Sequence, residues 1–107
     1  MSVTLQENGL DLQIIQLKKA AIILRAINHK LRQQMLSLMH QFERLTVTEI
    51  YIKLRLEQSV TSQQLAILRA AGFVVTKREG KKIYYSVNYT RLEEVQMKAE
   101  ELAKYKP

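Results

Sequence analysis

One stretch of this chain breaks an otherwise helical rhythm. Between Gly72 and Val87 the apolar residues stop recurring every three or four positions. Phe73-Val74-Val75-Thr76 and Ile83-Tyr84-Tyr85-Ser86-Val87 are rich in branched and aromatic side chains, which suit strands. Glu79-Gly80 between them supplies a two-residue turn with glycine second, so residues 73–87 read as a β-hairpin. That turn sets Arg78 opposite Lys81 and Lys77 opposite Lys82. Four cations at one hairpin tip repel each other unless a counter-charge such as a phosphate backbone lies against them.

The flanking segments are helical in spacing. Residues 10–27 carry Leu10, Ile14, Leu17, Ala21 and Leu24 on one stripe and Ile15, Ile22, Ile23, Ala26 and Ile27 on a second. A surface helix needs one apolar stripe. Two stripes need cover on two sides, which a second copy of the chain would provide; a central helix inside the monomer fits this segment nearly as well. Residues 29–42 predict a second helix with Leu31, Met35, Leu38 and Phe42 inward, and Met35 and Met39 read as core filler. Thr46 and Glu49 have the spacing of a capping box, opening a third helix with Val47, Ile50, Tyr51 and Leu54 on one face. Residues 58–71 predict a fourth, with Thr61, Leu65 and Leu68 on one side and Ser59, Ser62, Gln63 and Ala66 on the other. Gly72 is placed to end it in the left-handed conformation. Residues 90–104 predict the last helix, with a stripe of Leu92, Val95, Ala99, Leu102 and Ala103 and with Glu93 and Glu94 in its first turn. The expected fold is mainly α with a β-hairpin: a single winged helix-turn-helix domain over residues 1–107, five helices and a two-stranded wing in the order α-α-α-α-β-β-α. The helix-turn-helix spans 46–71 and the wing 73–87.

Composition removes several functions. The chain has no cysteine, so disulfides, thiol catalysis, thiol redox sensing and thiolate metal sites are all excluded. His29 and His40, eleven positions apart, lack a nearby carboxylate pair, and no metal site is expected. No nucleophile stands beside a base, and three glycines cannot make a glycine-rich phosphate loop. No catalytic residue, no enzymatic activity and no cofactor are therefore expected. No apolar run approaches the roughly 20 residues that span a bilayer, and the N-terminus lacks the pattern of a secretion signal; a cytoplasmic protein without a membrane partner is the expectation.

Charge points to a partner. The chain carries a net +7, and residues 51–91 hold eight Lys and Arg against Glu57 and Glu79. A concentrated basic field suits a polyanion such as double-stranded DNA; a solvated basic face is the plainer alternative. The fourth helix presents short polar side chains that can donate and accept at base edges in the major groove. The hairpin, with Lys77 at its tip, can track phosphates or enter the minor groove. Lys53 and Arg69 fit phosphate contact or plain solvation equally. One module reads few base pairs, so specificity calls for two, and the first and last helices are the candidates to join them.

From Asn28 to Val87 the sequence resembles the ArsR-type (arsenic-repressor-like) family of bacterial winged-helix regulators. The pieces that carry the resemblance, in order, are His29-Lys30-Leu31-Arg32, Leu45-Thr46-Val47-Thr48-Glu49-Ile50, the run from Gln58 to Arg69, Ala71-Gly72-Phe73-Val74 and the run from Arg78 to Val87. The resemblance implies a homodimer joined through the terminal helices, by Ile14, Leu17, Ala21, Leu24, Leu92, Val95, Ala99 and Leu102. It implies repression at operators overlapping promoters. It places Gln58, Ser59, Ser62 and Gln63 at base-contacting positions and Arg78, Lys81 and Lys82 on the wing. Many members sense metals, but Val47–Tyr51 offers no ligand pair and residues 89–107 contain no histidine, so a member that does not sense metal is expected. His29 matches a family position near a helix start and is given a structural role. Tyr84 and Tyr85 are expected to pack onto the core rather than stack on bases. Three residues depart from the family pattern: Arg55 where the turn often has glycine, Lys30 where a helix often starts with proline, and Glu57 in place of a cap serine. The departures at Arg55 and Glu57 motivate the alternative, a winged-helix module that binds a protein or an unidentified effector without reading DNA.

Overall fold

A computed structural model describes residues 9–106. The elements are α1 (Leu10–Ile27), α2 (Lys30–Phe42), α3 (Val47–Leu54), α4 (Gln58–Ala70), β1 (Val74–Glu79), β2 (Lys82–Val87) and α5 (Tyr89–Ala103). The expected order holds, and the boundaries of the helices fall within a residue of the sequence reading. The strands run closer to the turn than expected.

The core sits where α2, α3 and α4 meet the base of the hairpin. Met35, Met39, Ile50, Leu65, Leu68 and Phe73 are fully buried there. Thr61 is buried with them, its hydroxyl donating to the Glu57 carbonyl at 3.1 Å. Phe42, expected inward, is instead 44% exposed at the end of α2, where the Lys53 ammonium lies 4.1 Å from its ring centre. Met35 is buried as expected and Leu31 and Leu38 pack against the core, with Arg32, Leu36 and Met39 buried beside them.

Local chemistry sets several of the helix ends. The Thr46 hydroxyl accepts from the Glu49 amide at 3.2 Å and the Glu49 carboxylate accepts from the Thr46 amide at 3.0 Å, the reciprocal capping box. Arg55, between α3 and α4, adopts the left-handed conformation (φ 57, ψ 48) that glycine ordinarily supplies. The tight turn is therefore kept, at a cost of about 1–2 kcal/mol for a residue with a Cβ. At the end of α4, Gly72 takes φ 86; its N–H bonds to the Arg69 carbonyl and that of Phe73 to the Leu68 carbonyl, which is the Schellman arrangement. The Asn88 side chain accepts from the Arg91 amide and caps α5. Because α5 starts at Tyr89, Glu93 and Glu94 lie beyond the first turn in which they were expected, and Glu94 pairs instead with Arg91 at 2.6 Å.

The hairpin register differs from expectation by a shift of the turn. Gly80 and Lys81 form the two-residue loop, with φ 63 at Gly80, so glycine stands first rather than second. Glu79 therefore faces Lys82, Arg78 faces Ile83 and Lys77 faces Tyr84; Arg78 does not face Lys81, nor Lys77 Lys82. The reason lies at the other end. This register pairs Val74 with Val87, both buried, and a one-residue slip would turn one of them to solvent. Leu45 adds a single-residue third strand: its N–H and C=O both bond to Tyr85 across the free edge of β2, at 3.0 and 2.7 Å.

α1 stands apart. Of its 18 residues only Ala26 is buried, while Leu12, Leu17 and Ile22 are 59%, 68% and 59% exposed. The radius of gyration is 17.4 Å, against about 13 Å for an ordinary domain of this length. A chain this short leaves its longest helix largely bare.

Candidate nucleic-acid interface

α4 divides cleanly by face. Thr61, Leu65 and Leu68 enter the core, so helical geometry turns Gln58, Ser59, Ser62, Gln63 and Ala66 outward, and all five are exposed. None of those five side chains is larger than glutamine. Glu57 is the N-cap of α4 and forms no side-chain cap bond. Arg69 lies in the last turn, exposed.

The wing lies beside this helix. Ser62, Ala66 and Arg69 of α4 line a shallow cleft whose far wall is Tyr85 of β2. Lys77, Arg78, Lys81 and Lys82 are all exposed on the hairpin. Arg78 is partly committed, its Nε donating to the Gly80 carbonyl at 3.2 Å, where it braces the turn. Lys77 stands 3.9 Å from Glu79. The two tyrosines separate: Tyr85 packs against the core as expected, whereas Tyr84 lies under the Arg44 guanidinium, 4.0 Å from its ring centre.

Three arginines outside the expected set hold this surface in place. Arg44 donates to Glu79 at 2.7 Å. That bond raises the guanidinium further above its ordinary range and lowers the Glu79 carboxyl. Arg91, counted above with the basic segment, is spent internally: its Nε donates to the Ala71 carbonyl at 3.1 Å. Asn88 adds a bond from its Nδ2 to the Gly72 carbonyl at 3.0 Å, so the start of α5 grips the end of α4. Arg32, only 9% exposed, donates to Gln64 on α4 and to the last carbonyls of α1. A buried arginine has no sequence signature; the spacing Arg32-x-x-Met35 on a helix face was the available hint, since it puts Arg32 on the core side.

The expected dimer residues lie on α1 and α5 but do not form one patch within the chain. Leu24, Val95, Ala99 and Leu102 line a groove of about 220 Å³ between the two helices. Leu92 packs against the core, and Ile14, Leu17 and Ala21 lie exposed further along α1. Among the described residues no three His, Asp or Glu side chains cluster as metal ligands, and no helix is long and apolar enough to cross a membrane.

Comparison with known proteins places this arrangement. Residues 29–76 match the bacterial regulatory proteins of the arsR family. The transcriptional repressor PagR of Bacillus anthracis is 32% identical over 83 residues, 77% of this chain and 82% of PagR. The chain belongs to the ArsR family. Within that family, the transcriptional activator HlyU of Vibrio cholerae is 36% identical over 74 residues, 69% of this chain and 68% of HlyU. The biofilm growth-associated repressor of Agrobacterium fabrum is 40% identical over 67 residues, 63% of this chain and 56% of that protein, so the match spans little more than half of that relative. The crystal structure of PagR superposes with a TM-score of 0.63 at 28% identity, covering 78% of this chain and 97% of that one. An ArsR-like regulator from Rhodococcus shares the fold at a TM-score of 0.72 and 17% identity. The winged helix-turn-helix of this ArsR-family chain is thus that of DNA-binding transcription regulators.

Proposed function

We propose that this ArsR-family protein represses transcription in the cytoplasm by binding a palindromic operator as a homodimer, without catalytic turnover. Each protomer would lay α4 in the major groove and set its wing on the adjoining backbone or in the minor groove. The observation that carries the reading is the shared cleft: the polar face of α4, with Ser62, Ala66 and Arg69, adjoins Tyr85 of the cation-bearing hairpin. Gln58, Ser59, Ser62 and Gln63 would meet base edges. Arg69, Lys77, Arg78, Lys81 and Lys82 would meet phosphates. The exposed Ile14, Leu17 and Ala21 of α1 and the groove-lining Leu24, Val95, Ala99 and Leu102 would be covered by the partner, with Leu92 behind them against the core.

A fluorescence-anisotropy titration against the promoter of the protein's own gene, with random duplex as competitor, tests this. Preference for the promoter is expected, and Ser62→Ala with Gln63→Ala should lose about 1–3 kcal/mol of discrimination at the bases they read. Equal affinity for both duplexes at moderate salt, with the dimer confirmed by sedimentation, would reject the reading.

A further inference from the structure

We infer that Arg44 is a wing-positioning residue. It ties the hairpin to the corner between α2 and α3, and the fixed wing that results contributes to telling an operator from random duplex; the second half rests on the DNA-binding reading above. Glu79 is the single acid in residues 74–87, among Lys77, Arg78, Lys81 and Lys82. A wing that served only as a cationic attractor would bind better with a neutral residue there, because every net charge lost weakens phosphate binding. The structure gives the carboxylate another use: it accepts from Arg44 Nη1 at 2.7 Å. The same guanidinium lies 4.0 Å from the Tyr84 ring centre. In the observed register Glu79 faces Lys82 and Tyr84 faces Lys77, so the acid and the ring are neighbours on one face of the hairpin. One side chain grips both.

Arg44 is itself held at the backbone. Its N–H donates to the Phe42 carbonyl at 2.8 Å across Glu43, and Leu45, the next residue, exchanges two hydrogen bonds with Tyr85. Arg44 therefore reaches from an anchored corner to the last residue before the turn, next to Lys81 and Lys82. Beyond Tyr85 the outer half of the hairpin is otherwise a two-stranded ribbon, the kind of sheet whose twist is least constrained. An exposed ion pair alone contributes little. An arginine stacked on a ring while it makes that pair adds a second contact, and together they support an effect of about five- to tenfold on the ratio of specific to non-specific affinity.

The test compares Arg44→Gln, Glu79→Gln and the double variant with the unaltered protein. Two readings are taken: backbone order parameters of Glu79–Lys82 without DNA, and the ratio of affinities for the protein's own promoter and random duplex at one salt concentration. Charge alone predicts that Glu79→Gln tightens both duplexes and that Arg44→Gln weakens both. Positioning predicts that each lowers the order of the hairpin tip and drops the ratio about five- to tenfold, and that the double variant falls no further than either single. Unchanged order in Glu79→Gln, or a ratio that stays the same, overturns the inference. An unaltered protein without promoter preference rejects the DNA-binding reading, and the order parameters still decide whether Arg44 holds the wing.

Discussion

Replacing Arg32 with methionine should cost the fold roughly 2–4 kcal/mol, although the change removes a buried charge from the interior. Arg32 is 9% exposed, and its partners are not carboxylates. Its Nε donates to the Ala26 carbonyl at 2.6 Å, its Nη2 to the Arg25 carbonyl at 3.1 Å and its Nη1 to Gln64 Oε1 at 2.7 Å. The two carbonyls belong to the last turn of α1, where the helix offers no internal donor and carries the negative end of its dipole. The counter-charge of Arg32 is thus a helix end, and a helix end cannot be substituted away. Exchanging a whole buried ion pair for apolar groups is often neutral. Exchanging only the cation here strands the carbonyl of Ala26, a residue 5% exposed, and weakens the tie to Arg25. Each stranded buried acceptor costs about 1–3 kcal/mol, whereas Gln64, only partly buried, can turn to water. For a domain near 100 residues, the sum corresponds to a fall in Tm of roughly 10–25 °C. Urea unfolding followed by circular dichroism, at one protein concentration for all variants, measures it. Arg32→Lys should fall between, since an ammonium reaches fewer of the three acceptors, and Gln64→Leu should cost about 1 kcal/mol. An Arg32→Met midpoint indistinguishable from the parent would refute the reasoning, because the α1 carbonyls would then have found other donors.

Glu43→Gly should stabilise the fold by about 0.5–2 kcal/mol, since Glu43 holds φ 69 and ψ −50 inside a three-residue turn that a Cβ strains; a lower unfolding midpoint would contradict that. Lys81→Ala combined with Lys82→Ala should flatten the slope of log affinity against log salt by about 2, and an unchanged slope would remove both from phosphate contact. Thr46→Ala should cost about 1 kcal/mol in unfolding experiments through loss of the α3 cap. The Thr46 amide and hydroxyl also hold the Glu49 carboxyl below its ordinary range. A carboxyl depressed in the folded state lends stability that is present above its unfolded value and is lost as pH falls through the folded one. The stability difference between the parent and Glu49→Gln should therefore shrink below about pH 4, and parallel curves across that range would count against the cap.

The residues alone determined every element whose cause is local. Thr46 and Glu49 lie one helical turn apart, so their reciprocal bonds depend on nothing else in the chain. Gly72 ends α4 because it follows the last core position of that helix and can adopt positive φ. The polar face of α4 was legible for the same reason: helical period turns Ser59, Ser62 and Gln63 away from Leu65 and Leu68. What tertiary structure decided are the choices made between residues far apart. The hairpin register follows from burying Val74 against Val87, not from the turn dipeptide; it gave Lys77, Arg78 and Lys82 new partners and left Lys81 in the turn. Which basic residues remain free was decided the same way. Arg91 is spent on Ala71, Arg32 on α1, and Arg44 on a carboxylate 35 positions away, while Lys81 and Lys82 stay exposed. A side chain's charge is written in its type. Whether that charge is available to a partner depends on which acceptors folding brings within about 3 Å of it, and distance along the chain carries no record of that.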